Sequence, residues 1–172
     1  MIKTEKELAA KIKECTSCLE DKFNGKDGKR SIIICGGTGC LSSNSQEILD
    51  KFEALIKENK CEDKVSVNKV GCFGFCSQGP FVKIFPEDTL YRAVTPEDVA
   101  EIWEKDIMGK EIVEKLLYVD PTTQEKVQKQ EDITFYKKQE RISLHGCGTI
   151  NPEDISEALG YGAYEGLAKA LK

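Results

Sequence analysis

The apolar positions of the chain switch between two spacings, and the switches mark out its elements. Leu8, Ile12, Cys15 and Leu19 recur at helical spacing behind the capping pair Thr4 and Glu7, which predicts an amphipathic helix to about residue 20. Asn24-Gly25 through Asp27-Gly28 then reads as a polar turn. Ser31-Ile32-Ile33-Ile34-Cys35 is a continuous β-branched run, the mark of a short strand buried on both faces. Ile48, Leu49, Phe52, Leu55 and Ile56 form one stripe of a helix that packs on the sheet. Ser43 or Asn44 can cap it, with Gln46 or Glu47 three residues on. Val65-Ser66-Val67-Asn68-Lys69-Val70 alternates as a second strand, and a strand–helix–strand crossover predicts a parallel pair. Phe81 to Phe85, a Pro86-Glu87-Asp88-Thr89 turn and Leu90 to Val94 predict an antiparallel hairpin. Thr95-Pro96-Glu97-Asp98 opens another helix with proline at its first position, and Val99, Ile102, Trp103 and Ile107 face the core as far as Gly109.

From Lys110 the character changes. Charge rises, Asp120-Pro121-Thr122-Thr123 is a turn, and Val127 to Asp132 is strongly polar. Ile112, Leu116, Tyr118, Phe135 and Tyr136 are too sparse for a second core and too many for a free linker, so part of this stretch is expected to lie along the first domain or a partner. Asn151-Pro152-Glu153-Asp154 caps a helix through Leu159, and Gly160-Tyr161-Gly162-Ala163-Tyr164 starts a last one ending at Leu167, Ala170 and Leu171. The expected organisation is an N-terminal helix and turn at 1–28, an α/β domain at 29–109, and a connector with a helical arm at 110–172.

A chain of 172 residues with 40% hydrophobic content can bury a core without disulfides. The net charge of −5 is made of interspersed signs, with no basic stripe or aromatic platform, so a nucleic-acid surface is not expected. No apolar run approaches the ~20 residues needed to cross a bilayer, and Met1-Ile2-Lys3-Thr4-Glu5 lacks the apolar region of a signal peptide. The expected compartment is the reducing cytoplasm, where the eight cysteines point to metal or cluster chemistry rather than a disulfide set.

Four of those cysteines sit at strand ends. Ile34-Cys35-Gly36-Gly37-Thr38-Gly39-Cys40 carries a C-x4-C, and Val70-Gly71-Cys72-Phe73-Gly74-Phe75-Cys76-Ser77-Gln78-Gly79-Pro80 carries a C-x3-C. Both loops leave the same sheet edge, the usual place for a site in an α/β sheet. The glycines among them suit backbone that turns with positive φ or comes close to a bound object. Four thiolates suit a tetrahedral zinc ion or an iron–sulfur cluster, and a thiol redox pair is the remaining reading. Structural zinc more often takes short C-x2-C knuckles in polar loops. Here wide, glycine-rich loops stand beside Phe73, Phe75 and Phe81, and amides freed by glycine can hydrogen-bond cluster sulfurs, which favours a [2Fe–2S] centre. The helix that follows Cys40 starts nearby, and its dipole would favour the negative charge of such a centre.

This pattern, C-x4-C followed after some thirty residues by G-C-x-G-x-C-x-x-G-P, resembles the thioredoxin-like [2Fe–2S] ferredoxins. The form C-G-G-T-G-C and the continuation from Phe81 are similar to the N-terminal domain of the NADH-binding flavoprotein subunits of electron-bifurcating and NADP-reducing hydrogenases, which are related to complex I. The resemblance covers about residues 31 to 172. It implies a thioredoxin-like fold with a mixed four-stranded sheet, matching the β-α-β then β-β-α order read above, and ligation of the cluster by Cys35, Cys40, Cys72 and Cys76, one pair to each iron. It also implies partners: other subunits of a hydrogenase or NADH dehydrogenase complex, with FMN and NAD(P)H bound outside this chain. No glycine-rich nucleotide motif occurs here, so no NADH oxidation is expected of these residues alone. In this fold a cis-proline often precedes the third strand, where Pro80 sits, but sequence does not fix the isomer. A free-standing ferredoxin and a zinc-stabilised interaction domain are the competing functions.

The remaining cysteines read blandly. Cys15 and Cys18 form a C-x2-C inside a helix instead of between strand and helix, so Cys15 is expected as a small core residue and Cys18 as a bystander. Cys61 is an ordinary thiol. His145 and Cys147 lie in a glycine turn read as local structure, and one histidine cannot complete a Ser/His/Asp set.

Overall fold

The structure, a computed structural model, describes residues 4–170; the Met1–Lys3 start and the apolar end at Leu171 lie outside them. Helix α1 spans Glu5–Asn24, with the Thr4 hydroxyl accepting from the Glu7 amide at its N-cap and Gly25 closing it in the left-handed region at φ 64°. Strand β1 is Arg30–Cys35, followed by a one-turn helix α2 at Thr38–Leu41 and helix α3 at Ser45–Glu58. Asn44 precedes α3 at φ 64° and makes no side-chain cap bond, so the anticipated capping box does not form there. Strand β2 is Val65–Val70, β3 Val82–Phe85 and β4 Thr89–Tyr91. Helix α4, Asp98–Ile102, runs into a π-helical stretch at Trp103–Met108, a loosening that no sequence signal marked.

The sheet order is β2-β1-β3-β4, with β1 and β2 parallel and the other pairs antiparallel. The predicted α/β architecture with a mixed four-stranded sheet is thus the observed one. Central β1 is buried along its whole length, and its residues alternate between two hydrophobic clusters. Ile32 and Ile34 face α3 and α4 through Ile48, Phe52, Val99 and Ile102. Ile33 and Cys35 face the opposite side, with Phe73, Phe81 and Leu90. Each such isoleucine contributes about 1.5–3 kcal/mol by leaving water.

The second face is completed by the chain after Lys110. A two-stranded ribbon, β5 Tyr118–Val119 and β6 Lys126–Val127, flanks the Asp120 turn, whose carboxylate accepts from the amides of Thr122 and Thr123 at 2.8 and 3.2 Å. One-turn helix α5, Thr134–Lys137, follows, and Tyr118, Ile133 and Tyr136 are buried against Phe73 and Phe81. Helix α6, Ile155–Gly160, packs on α1, where the Thr16 hydroxyl donates to the Gly160 carbonyl at 3.2 Å and Lys22 pairs with Glu157 at 2.6 Å. Helix α7 is Glu165–Ala170. Of the two destinations expected for this arm, the structure shows the first: it lies along the α/β domain. A buried charge network ties the arm down on the other side. Arg30 pairs with Asp106 and Glu87, and the Tyr91 hydroxyl donates to Asp106 while accepting from the Val113 amide. Among the described residues no helix is long and apolar enough to cross a membrane.

Candidate metal centre

Parallel pairing fixes where the cysteines emerge. In the register of β1 on β2, Cys35 lies opposite Val70, so both strands end level and both cysteine loops leave the carboxyl edge side by side. The Gly36 amide donates back to the Val70 carbonyl at 2.8 Å and the Cys35 amide to the Phe81 carbonyl at 3.1 Å, holding the first loop between β2 and the start of β3. Cys40 rides on α2, and Cys76 begins a short 3-10 turn, Cys76–Gln78. The Gly79–Pro80 bond is cis, as is Phe85–Pro86.

All four thiols named from the sequence meet at this edge. The Cys40 thiol hydrogen-bonds Cys35, Cys35 contacts Cys72, and the Cys72 and Cys76 sulfurs are 3.9 Å apart. The sulfurs therefore run as a chain, Cys40 to Cys35 to Cys72 to Cys76. Among the described residues no group of three or more His, Cys, Asp or Glu side chains is already gathered as a metal site. A tetrahedral zinc site needs four donors round one point, whereas a two-iron cluster takes two thiolates on each iron.

Backbone amides are aimed at the sulfurs. Cys35 accepts from the N–H groups of Phe73 and Gly37, Cys40 from that of Phe81, and Cys72 from that of Gly74 at 3.3 Å. The bond from Cys40, helped by those amides, brings the Cys35 thiol down to about 6. Cys40, which gives that hydrogen bond, is pushed up, and burial pushes Cys72 up as well. Such N–H···S bonds favour negative sulfur, the form in which cysteine binds iron. The glycines make room for it: a Cβ at Gly37 would lie 3.0 Å from the Cys72 sulfur, and one at Gly79 would lie 2.6 Å from that of Cys40.

The two pairs differ in exposure. Cys35 and Cys40 are 1% and 2% exposed, Cys72 is half-buried and Cys76 is exposed. Phe75, between the second pair, stacks on Phe135 of the arm at a centroid distance of 4.1 Å and an interplanar angle of 13°, with Phe81, Tyr118 and Tyr136 around it. Arg141 donates from its guanidinium to the Phe73 and Cys147 carbonyls and lies over the Tyr136 ring, 5.2 Å from its centroid. The sequence flagged Phe135 and Tyr136 only as apolar residues in a polar stretch and gave no sign of Arg141, because which loop they cover is a long-range fact.

The other thiols stay apart. Cys15 is buried under α6 and Cys18 on the same helix is exposed. Cys61 lies at the end of α3, its sulfur on the Ile56 carbonyl. Cys147 comes beside the second loop through its backbone: a Cβ at Gly71 would lie 3.4 Å from the Cys147 Cα, and the Gly71 amide donates to Ile150 at 3.2 Å. His145 stacks on Tyr161 with ring centroids 5.1 Å apart.

Comparison with known proteins bears on the same edge. Residues 8–106 match the family described as thioredoxin-like [2Fe-2S] ferredoxin, a span that begins within α1 and ends in the π-helical stretch. The chain is 40% identical over 102 residues to the 2Fe-2S ferredoxin of Clostridium pasteurianum, covering 59% of this chain and 88% of that protein. It is 34% identical over 82 residues to the 2Fe-2S ferredoxin of Aquifex aeolicus, covering 45% and 71%. The crystal structure of the wild-type thioredoxin-like [2Fe-2S] ferredoxin from Aquifex aeolicus superposes with a TM-score of 0.47 at 30% identity, over 51% of this chain and 94% of that one. The donor set, the amides turned toward sulfur and the glycine clearances fit a [2Fe–2S] cluster, and with a match over more than half its length this chain belongs to the thioredoxin-like [2Fe–2S] ferredoxins, the family whose cofactor that cluster is.

Proposed function

We propose that Cys35 and Cys40 hold one iron and Cys72 and Cys76 the other, and that the chain passes single electrons as a module of a larger NAD(P)H-oxidising flavoprotein assembly. The observation that carries the ligand assignment is the sulfur chain at the sheet edge, with backbone amides from both loops directed at it. The cluster supplies a one-electron couple, and the protein binds it, excludes water from the Cys35–Cys40 side and sets its potential. Electrons enter and leave on the Cys72–Cys76 side, where the covering protein is thinnest. The proposed setting is the cytoplasm, because cluster thiolates persist where thiols stay reduced.

The assembly role is supported by the arm after residue 110, which lies outside the matched residues 8–106. A free-standing carrier is the second reading, favoured by the relatives, which are named ferredoxins. Anaerobic purification tests the first step: about two irons and two sulfides per chain and a red-brown colour bleached by dithionite support the cluster, whereas stoichiometric zinc without iron refutes it. Reduction of the full chain by NADH or NADPH through a purified FMN-containing subunit supports the assembly. If only small soluble reductases reduce it and no such subunit binds, the free-standing reading stands.

A further inference from the structure

The segment that closes over the second cysteine loop brings a charge with it. Arg141 belongs to the arm, outside the residues matched to the family. Its Nη2 donates to the carbonyl of Phe73, the residue after Cys72, and its Nη1 to the carbonyl of Cys147 at 3.5 Å. Gly74 permits this approach: a Cβ there would meet Nη2 at 2.5 Å, and the same glycine's N–H donates to the Cys72 sulfur at 3.3 Å. Guanidinium and sulfur thus hold neighbouring groups of one three-residue loop. Beneath the guanidinium lies the buried Tyr136, its ring centroid 5.2 Å from the Arg141 Cζ. Arginine keeps its charge at every working pH and forks onto two acceptors at once, so it suits a fixed cation better than lysine does.

We propose that Arg141 is a positioning residue of the redox centre: it clamps the Cys72–Cys76 loop onto the arm and holds a permanent positive charge beside the sulfurs, biasing the centre toward its reduced state. This rests on the four cysteines being the cluster ligands. Reduction adds one electron from the donor to the centre, with no bond formed or broken. The added negative charge is stabilised by a cation in a partly dry site, so the reduction potential rises. A guanidinium that merely fastened the arm would change stability and leave the potential alone.

The test is an anaerobic redox titration of the full chain followed by EPR, with iron and sulfide assayed on every sample. R141Q keeps a planar polar head and loses the charge. At the wild-type midpoint its reduced-to-oxidised ratio should fall about three- to tenfold, tenfold being 59 mV for one electron. R141K keeps the charge and should stay within about twofold of wild type, melting lower for want of the second carbonyl contact. R141M, which retains an aliphatic stem over Tyr136, replaces R141Q if that variant does not load its cluster. A loaded neutral variant with the wild-type midpoint overturns the proposal, and so does an R141K shift as large as that of R141Q. A wild-type chain without iron and sulfide would instead end the ligand assignment itself.

Discussion

The two cysteine loops are alike in composition and opposite in setting. The first, Cys35 to Cys40, is held between the end of β2 and the start of β3, and both its thiols are almost wholly buried. The second, Cys72 to Cys76, lies on the rim, with its last thiol in solvent and its other face covered by Phe135 and Arg141. The first is shaped by the sheet of the shared fold, the second by sequence added after it. Burial on one side and access on the other is what a one-electron carrier needs: a dry side that sets the potential and an open side that exchanges electrons.

Substitution of ligands should produce the largest contrast. Cys35→Ser removes a donor from a pocket closed by Cys40 and two amides, and its visible and EPR spectra should lose the native cluster entirely. Cys76→Ser sits where water reaches, so a weaker, altered centre should survive. Equal spectra for the two variants would erase the proposed division between a sealed side and an open one.

Glycine clearances sharpen the comparison around the Cys40 sulfur, which Gly79 approaches from beyond the second loop and Gly39 precedes in the first. Gly79 has an ordinary φ of −76°, so Gly79→Ala tests space alone: its Cβ would land 2.6 Å from the Cys40 sulfur. The cost should be about 1–3 kcal/mol with poorer cluster loading. Gly39→Ala, with 3.8 Å to the nearest atom, should change the thermal midpoint by at most the equivalent of about 0.5 kcal/mol. If both melt alike, the loop is not packed around sulfur as described.

The cover over the second loop comes next. Ile133→Ala empties a fully buried site and should cost about 2–4 kcal/mol in denaturant unfolding. Phe135→Ala removes a half-buried stacking partner and should cost about 1–2 kcal/mol, while making Cys76 of the iron-free protein react faster with a thiol label. An unchanged labelling rate would mean that the arm leaves the loop's accessibility to other residues. The smallest effect belongs to the remaining cysteines: Cys15→Ser should cost about 1 kcal/mol and Cys61→Ser less, with the cluster spectrum intact in both.

Much of this was legible because the signals are local. The run Ser31 to Cys35 could only be a strand with two dry faces, and the alternation of Val65 to Val70 behind a crossover helix dictated a parallel partner. Two cysteine pairs directly after those strands had to share an edge. What stayed hidden was set by distance along the chain. The π-helical stretch at Trp103–Met108 carries Asp106 into a pocket against Arg30 and Tyr91, and neither partner is near it in sequence. The arm looked like a connector because its apolar residues are sparse; they suffice because they finish a cluster begun by Ile33, Phe73 and Phe81.

By itself, then, the order of residues determined the strands, their pairing sense and the convergence of four thiols, since periodicity, glycine placement and crossover geometry act over short spans. Only the tertiary structure decided which thiols are sealed and which are open, and that Phe135, Tyr136 and Arg141 lie over the second loop. Burial and charge at a site depend on what the rest of the chain brings to it, and here that contribution arrives from about sixty residues further along.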